Sequence, residues 1–207
     1  APPHVGRARN AFIGDAIAQL FKFQGHQVET HFYVNDISKQ VALLVHAFQG
    51  EEKFHDLLEK YIEAARRLEK NPSLEKEIFL LLEKFEQGDS ATQEKFKKVV
   101  EIAIAGQKKT LEDMGVSFDY FDYESDFIRD SQAILEKLQK TKRLFKDEQG
   151  RLVLNQEGLG LEEKMKSPVL VITRSDGTGL YILRDLAYTL FKMKRAQRNI
   201  IILGEDQ

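Results

Sequence analysis

Three short stretches of this sequence place side chains where they could act on a charged substrate. His4-Val5-Gly6-Arg7 precedes apolar residues at helical spacing: Ala8, Ala11, Phe12, Ala16, Ile17 and Leu20. The first turn of a helix carries free backbone N–H groups and the positive end of its dipole, so it suits phosphate. Gly6 admits a close ligand approach, and His4 and Arg7 could donate to phosphate oxygens during phosphoryl or nucleotidyl transfer. Tyr181 and Asp185 are four apart on a predicted helix and share one face. A carboxylate beside a phenol suits a guanidinium; the plainer reading is an exposed face with Asp185 paired to a nearby cation. Gly204 and Asp206 follow a short apolar run, where an open α/β sheet would present an adenine seat and an acceptor for ribose hydroxyls. A solvated strand-to-loop turn is the alternative there.

The elements that must hold these groups follow from periodicity. A helix from about His4 ends at Gly25, and β-propensity then marks a strand over Val28–Val34. Residues 38 to 115 read as helical and highly charged, with helices over Lys39–Phe48, Glu52–Glu69, Ser73–Gln87 and Ala91–Met114. Asn71-Pro72-Ser73 and Gly88-Asp89-Ser90 are the breaks. The charges of this block are most simply a solvated face rather than a dedicated RNA-binding surface. Val116–Tyr123 returns to strand character, followed by a helix over Phe127–Lys140. Asp147-Glu148-Gln149-Gly150 is a hairpin turn between Leu144–Lys146 and Arg151–Leu154. Val169–Thr173 reads as a buried strand, Asp176–Gly179 as a turn into a helix over Leu180–Ala196, and Asn199–Leu203 as a last strand. The expectation is an α/β Rossmann-like nucleotide-binding core with a parallel sheet and a helical insertion. It divides into residues 1–37, the insertion 38–115, and the rest of the core, 116–207.

Composition narrows the chemistry. With 31 Lys and Arg against 33 Asp and Glu in 207 residues, no global basic field marks a nucleic-acid protein, although a local patch remains open. The absence of cysteine excludes disulfides, thiolate catalysis and cysteine-ligated zinc. His26, His31, His46 and His55 lack ligand spacing, so no metal site is expected from them. The apolar runs are too short for a bilayer, and Ala1-Pro2-Pro3-His4 does not open a signal peptide. A cytoplasmic protein without a membrane partner is the expectation.

Read together, the motifs resemble one family. His4-Val5-Gly6-Arg7-Ala8-Arg9-Asn10 with Ile13-Gly14-Asp15 resembles the HIGH region of class I aminoacyl-tRNA synthetases in its arginyl form. Arg7 stands where that pattern usually has its second histidine. Tyr33-Val34-Asn35-Asp36 with Gln40 is similar to the arginyl-tRNA synthetase Tyr-Val-Asn-Asp…Gln segment. Phe118-Asp119 with Glu124-Ser125 resembles the segment that follows their insertion. Arg174-Ser175-Asp176-Gly177-Thr178, Tyr181 and Arg184-Asp185-Leu186-Ala187-Tyr188 resemble the Ser-Asp-Gly-Thr…Tyr…Arg-Asp-Ala-Tyr stretch, and Gly204-Glu205-Asp206-Gln207 its Gly-x-Asp-His/Gln. Five segments in family order run through the whole sequence. Lys192-Met193-Lys194-Arg195 only imitates the KMSK loop, because it lies inside a predicted helix ahead of the last strand.

The resemblance implies ATP-dependent activation of L-arginine to arginyl-adenylate and transfer to tRNA(Arg), with Mg2+ accompanying ATP and no covalent enzyme nucleophile. In that family activation of arginine generally requires bound tRNA. It implies that His4, Gly6 and Arg7 serve catalysis, and that His4, Gly6, Asn10, Gly204 and Asp206 bind ATP. Arginine would meet His4, Asn35, Tyr181, Asp185 and Gln207, with Tyr181 and Asp185 on the guanidinium and Gln207 at the α-amino group. Asn35 and Asp36 would shape the pocket. The family's Ser-Pro-Asn segment, expected ahead of His4, and its KMSK loop, expected after Gln207, are not in this stretch. With Arg7, that motivates an alternative: a non-catalytic module that binds arginine, a protein or RNA.

Overall fold

A computed structural model describes the backbone of residues 5–160, 168–173, 175 and 181–203, with side chains from residue 8 onward within those spans. The chain forms two compact units, residues 1–123 with 200–207, and residues 124–199.

In the first unit, α1 (Val5–Phe23) leads to β1 (His31–Val34), which pairs in parallel with β2 (Tyr120–Tyr123). Parallel strands need a crossover, and here α2 (Lys39–Ala47), α3 (Asp56–Lys70), α4 (Leu74–Glu86) and α5 (Ser90–Asp113) lie between them. Both strands are shorter than their sequence pattern predicts. Their first residues are replaced by a polar clasp: the Thr30 backbone N–H and hydroxyl both donate to the Asp119 carboxylate, at 2.7 and 2.8 Å. The Asp119 N–H in turn donates to the Thr30 carbonyl at 2.9 Å. Beside the clasp, Phe32 and Phe118 meet edge to face and pack on Ala11, Leu111 and Val116. The buried face of α1 is therefore that of Ala11 and Ala18, small residues that let the helix lie close, while Phe12, Leu20 and Phe23 stay exposed.

The Thr30 backbone N–H, then its hydroxyl, hold the Asp119 carboxyl below its usual range. A depressed folded pKa means the clasp stabilises the fold above the unfolded value of about 3.9 and weakens as pH falls through the lower folded value. Asp119→Ala is expected to cost about 1–2 kcal/mol at neutral pH, for two bonds to a charged acceptor partly open to solvent. The deficit relative to the unsubstituted protein should shrink toward pH 3, as read by urea denaturation across pH.

The helices bury Leu57, Ile78, Phe96 and Val99 almost completely, and the Phe85 and Phe96 rings lie 4.8 Å apart. Ser38 caps α2 and Asp89 caps α5, each accepting from a backbone N–H three residues on. Helix α3 begins at Asp56, not at Glu52 as the periodicity suggests. Glu52 instead turns its carboxylate onto the backbone N–H groups of Gln49, Gly50 and Glu51, at 2.9–3.2 Å, and those bonds hold the segment as a loop. Burial pushes the Glu52 carboxyl up, but the converging N–H groups outweigh it and the net direction is down.

Gly106, midway along α5, faces the Phe54 ring so closely that a Cβ would overlap it. Alanine here would gain about 1 kcal/mol of helix propensity but lose about 1–3 kcal/mol to overpacking. Gly106→Ala is expected to destabilise, and to become stabilising in a Phe54→Ala background; thermal denaturation of the four-member cycle checks the sign change.

The second unit opens with a 3-10 turn, Glu124–Phe127, that runs into α6 (Ile128–Lys140). Strands β3 (Leu144–Lys146), β4 (Leu152–Asn155) and β5 (Val169–Val171) form an antiparallel sheet in that order. The predicted hairpin turn is present: Asp147 N–H donates to the Arg151 carbonyl, and Gly150 takes the left-handed conformation at φ 77°. The buried part of the last strand region is Ile172–Thr173, just past β5, where the Thr173 hydroxyl accepts from Leu152 N–H. Helix α7 (Tyr181–Arg195) closes the unit. The strand expected over Asn199–Leu203 is not formed: no described strand pairs with it, and Ile200, Ile201 and Leu203 are about half exposed. A strand needs a hydrogen-bonding neighbour, and an apolar run alone does not supply one.

Candidate active site

In the first unit, Gly6 and Arg7 lie in the first described turn of helix α1. His4 falls outside the described residues, as do Gly204, Asp206 and Gln207. Asn10 is half-buried, one residue before the Ala11 that anchors the helix. Strand β1 ends at buried Val34, and the chain then alternates: Asn35 is exposed, while Asp36 and Ile37 are buried. Asn35 thus stands at the carboxyl end of a parallel strand, the end at which open α/β sheets take ligands. The Ser38 cap follows at once and turns the chain into α2.

In the second unit the site residues are carried by α7. Leu183, Ala187 and Tyr188 are buried, and Tyr188 and Phe191 pack on Phe127 at 5.1 and 5.6 Å. Arg184 also points inward, and its Nε donates to the Glu124 carboxylate at 2.6 Å with both side chains buried. Tyr181 is 61 % exposed at the start of the helix, and Asp185, one turn on, is half-buried. The face expected to meet a guanidinium is therefore open at Tyr181 and backed by an ion pair at the residue before Asp185. Glu124 and Arg184 are the functional-segment residues that sequence reasoning left without a role. Each was visible only as part of a motif, since residues 60 positions apart show no pairing signal in one sequence.

Residues 1–207 match the profile for tRNA synthetases class I (R), catalytic domain. The chain belongs to that family. It is 41 % identical over 99 % of its length to the arginine–tRNA ligase of Methanococcoides burtonii, and 39 % identical over 99 % to that of Archaeoglobus fulgidus. It spans only 36 % and 37 % of those relatives. Among solved structures it resembles arginyl-tRNA synthetase of Thermus thermophilus, with a TM-score of 0.68 and 27 % identity over 93 % of this chain and 34 % of that one. The Plasmodium falciparum arginyl-tRNA synthetase has the same fold, with a TM-score of 0.74 at 18 % identity over 92 % of this chain and 32 % of that one. Mixed α/β architecture with parallel strands is thus that of a class I synthetase catalytic domain. Two family segments gain a physical reason. Phe118-Asp119 joins the strands around the insertion, and Glu124 holds the Arg184 that precedes Asp185. No helix among the described residues is long and apolar enough to cross a membrane.

Proposed function

We propose that this chain is the arginine- and ATP-binding core of an arginine–tRNA ligase, which activates L-arginine with ATP and passes it to tRNA(Arg) in the cytoplasm. The observation that carries the reading is α7: an exposed tyrosine and a half-buried aspartate one turn apart, on a helix whose intervening Arg184 is tied to a buried carboxylate. Asp185 accepts the forked guanidinium donors and Tyr181 fixes their edge. The first turn of α1, with His4, Gly6, Arg7 and Asn10, takes the ATP phosphates, and Asn35 meets the amino acid at the end of β1. Gly204 and Asp206 seat the nucleoside, and Gln207 holds the α-amino group.

Chemistry in such a site rests on alignment and charge stabilisation: the arginine carboxylate oxygen attacks the α-phosphorus of ATP and pyrophosphate leaves. Backbone N–H groups and the cations beside them take up charge on the phosphates. Mg2+ bound with ATP would neutralise part of that charge. Among the described residues no three His, Asp or Glu side chains converge on one point. The organisation proposed is the core of residues 1–37 and 116–207, with 38–115 inserted.

ATP–pyrophosphate exchange in the presence of tRNA tests the reading, on the polypeptide that carries this chain. Exchange that requires arginine and is not supported by lysine or citrulline is the expected result. Arginine binding in calorimetry without any exchange would replace it with a non-catalytic arginine-binding module.

A further inference from the structure

The C-terminal end of α2 and the facing parts of α4 and α5 enclose a groove of about 340 Å3. Buried Val45 and half-buried Phe48 and Leu81 give it an apolar floor, and exposed His46, Lys95 and Lys98 form its rim. The lysines of α5 are not alike. Lys97, Lys108 and Lys109 each meet a carboxylate one turn away, on Glu101, Glu112 and Asp113. Lys95 and Lys98, the two that line the groove, have no ion-pair or hydrogen-bond partner among the described residues. Asp89 feels Lys95 electrostatically without such a contact. Two acidic side chains near this end of α2 are already engaged. Glu77 meets His46 at 3.1 Å, and Glu52 accepts from the backbone N–H groups of Gln49, Gly50 and Glu51.

The groove lies apart from the candidate arginine and ATP residues, because Asn35 precedes the N-terminal end of α2 and the groove is at its C-terminal end. We infer that it binds a small organic acid, with an aryl or branched-alkyl body on the apolar floor and its carboxylate at Lys95 and Lys98. Size selects the class of ligand. Small-molecule sites begin at roughly 300 Å3, whereas a stable protein interface draws on about 20–30 residues a side. Removing the ligand body from water supplies affinity, and the charge of the rim selects an anion. The carbonyl end of α2 opposes an anion with about half a negative charge, and the two ammonium groups outweigh it with two full positive ones.

The test is titration of the polypeptide that carries this chain with 1-naphthylacetate and with its neutral analogue 1-naphthylacetamide, read by NMR at the methyl groups of Val45 and Leu81. The acid is expected to shift both residues saturably and to bind more tightly than the amide. Lys95→Gln/Lys98→Gln should weaken the acid by about threefold to tenfold, as for two exposed charge pairs, and leave the amide unchanged. Lys108→Gln/Lys109→Gln, which makes the same change of net charge further along α5, should leave both affinities near the parent value. Circular dichroism verifies that the variants are folded. The inference is overturned if the acid leaves Val45 and Leu81 unmoved, if the amide binds as tightly, or if the groove variant binds the acid unchanged. Equal weakening by the control variant would overturn it too, and tighter binding of the peptide N-acetyl-Glu-Phe-Glu-amide would replace the small acid with a protein partner. No readout involves arginine, ATP or tRNA, so this inference and the synthetase reading fail separately.

Discussion

Asp185→Ala, in the polypeptide that carries this chain, is expected to raise the KM for arginine in pyrophosphate exchange on the order of 100-fold or more. The reason is charge and geometry together. A guanidinium leaves water only where its forked donors find acceptors, and a carboxylate is the side chain that accepts two of them at once. Asp185 is half-buried, one turn from Tyr181, so its bond to a ligand is partly shielded from water. Tyr181→Phe removes a single neutral hydrogen bond and should cost about tenfold or less. In both variants the KM for ATP should stay near the parent value, because the phosphates and adenine are assigned to other elements. Asp185→Asn separates charge from shape: the amide keeps one acceptor, so retention of most arginine affinity would show that the carboxylate is not the guanidinium receptor. Equal losses for arginine and ATP would point instead to a damaged fold.

The largest stability effect is expected one residue earlier. Arg184→Met removes the guanidinium that faces Glu124, at 2.6 Å in a buried setting. Breaking a buried pair from one side costs about 3–5 kcal/mol, because a desolvated charge loses its compensation. Replacing both partners is a different experiment: Glu124→Leu/Arg184→Met leaves neither of these two charges facing an empty place, and should recover part of the stability. Urea denaturation, with hydrogen exchange at the amides of α7 to localise the change, reads both variants. The double variant also separates stability from positioning. A refolded α7 that still binds arginine poorly would show that the ion pair sets how the Tyr181–Asp185 face is presented. Full arginine affinity in the double variant would reduce the pair to a structural role.

Much of this molecule is legible in its residues alone. The helix breaks at Pro72 and Gly88 punctuate a block whose apolar period is helical, so four helices are readable with ends displaced by a few residues. The left-handed Gly150 and the Tyr181–Asp185 spacing are equally local, since a turn or a helix face depends on only a few neighbouring residues. What escapes such reading depends on partners far along the chain. Strands β1 and β2 are cut short by a clasp between Thr30 and Asp119, 89 residues apart, and no period announces it. Glu52 looks like a helix residue and serves as a loop cap because three backbone N–H groups happen to converge on it. The apolar run before Gly204 carries the composition of a strand without a described neighbour to pair with. Glu124 and Arg184 could be named from motifs, but only the packing of α7 on the 3-10 turn brings their charges together and buries them. Side-chain chemistry and local period are thus properties of the sequence alone. The pairing of distant charges, and the length of each strand, are decided by tertiary structure, because burial and long-range hydrogen bonds exist only once the chain has closed on itself.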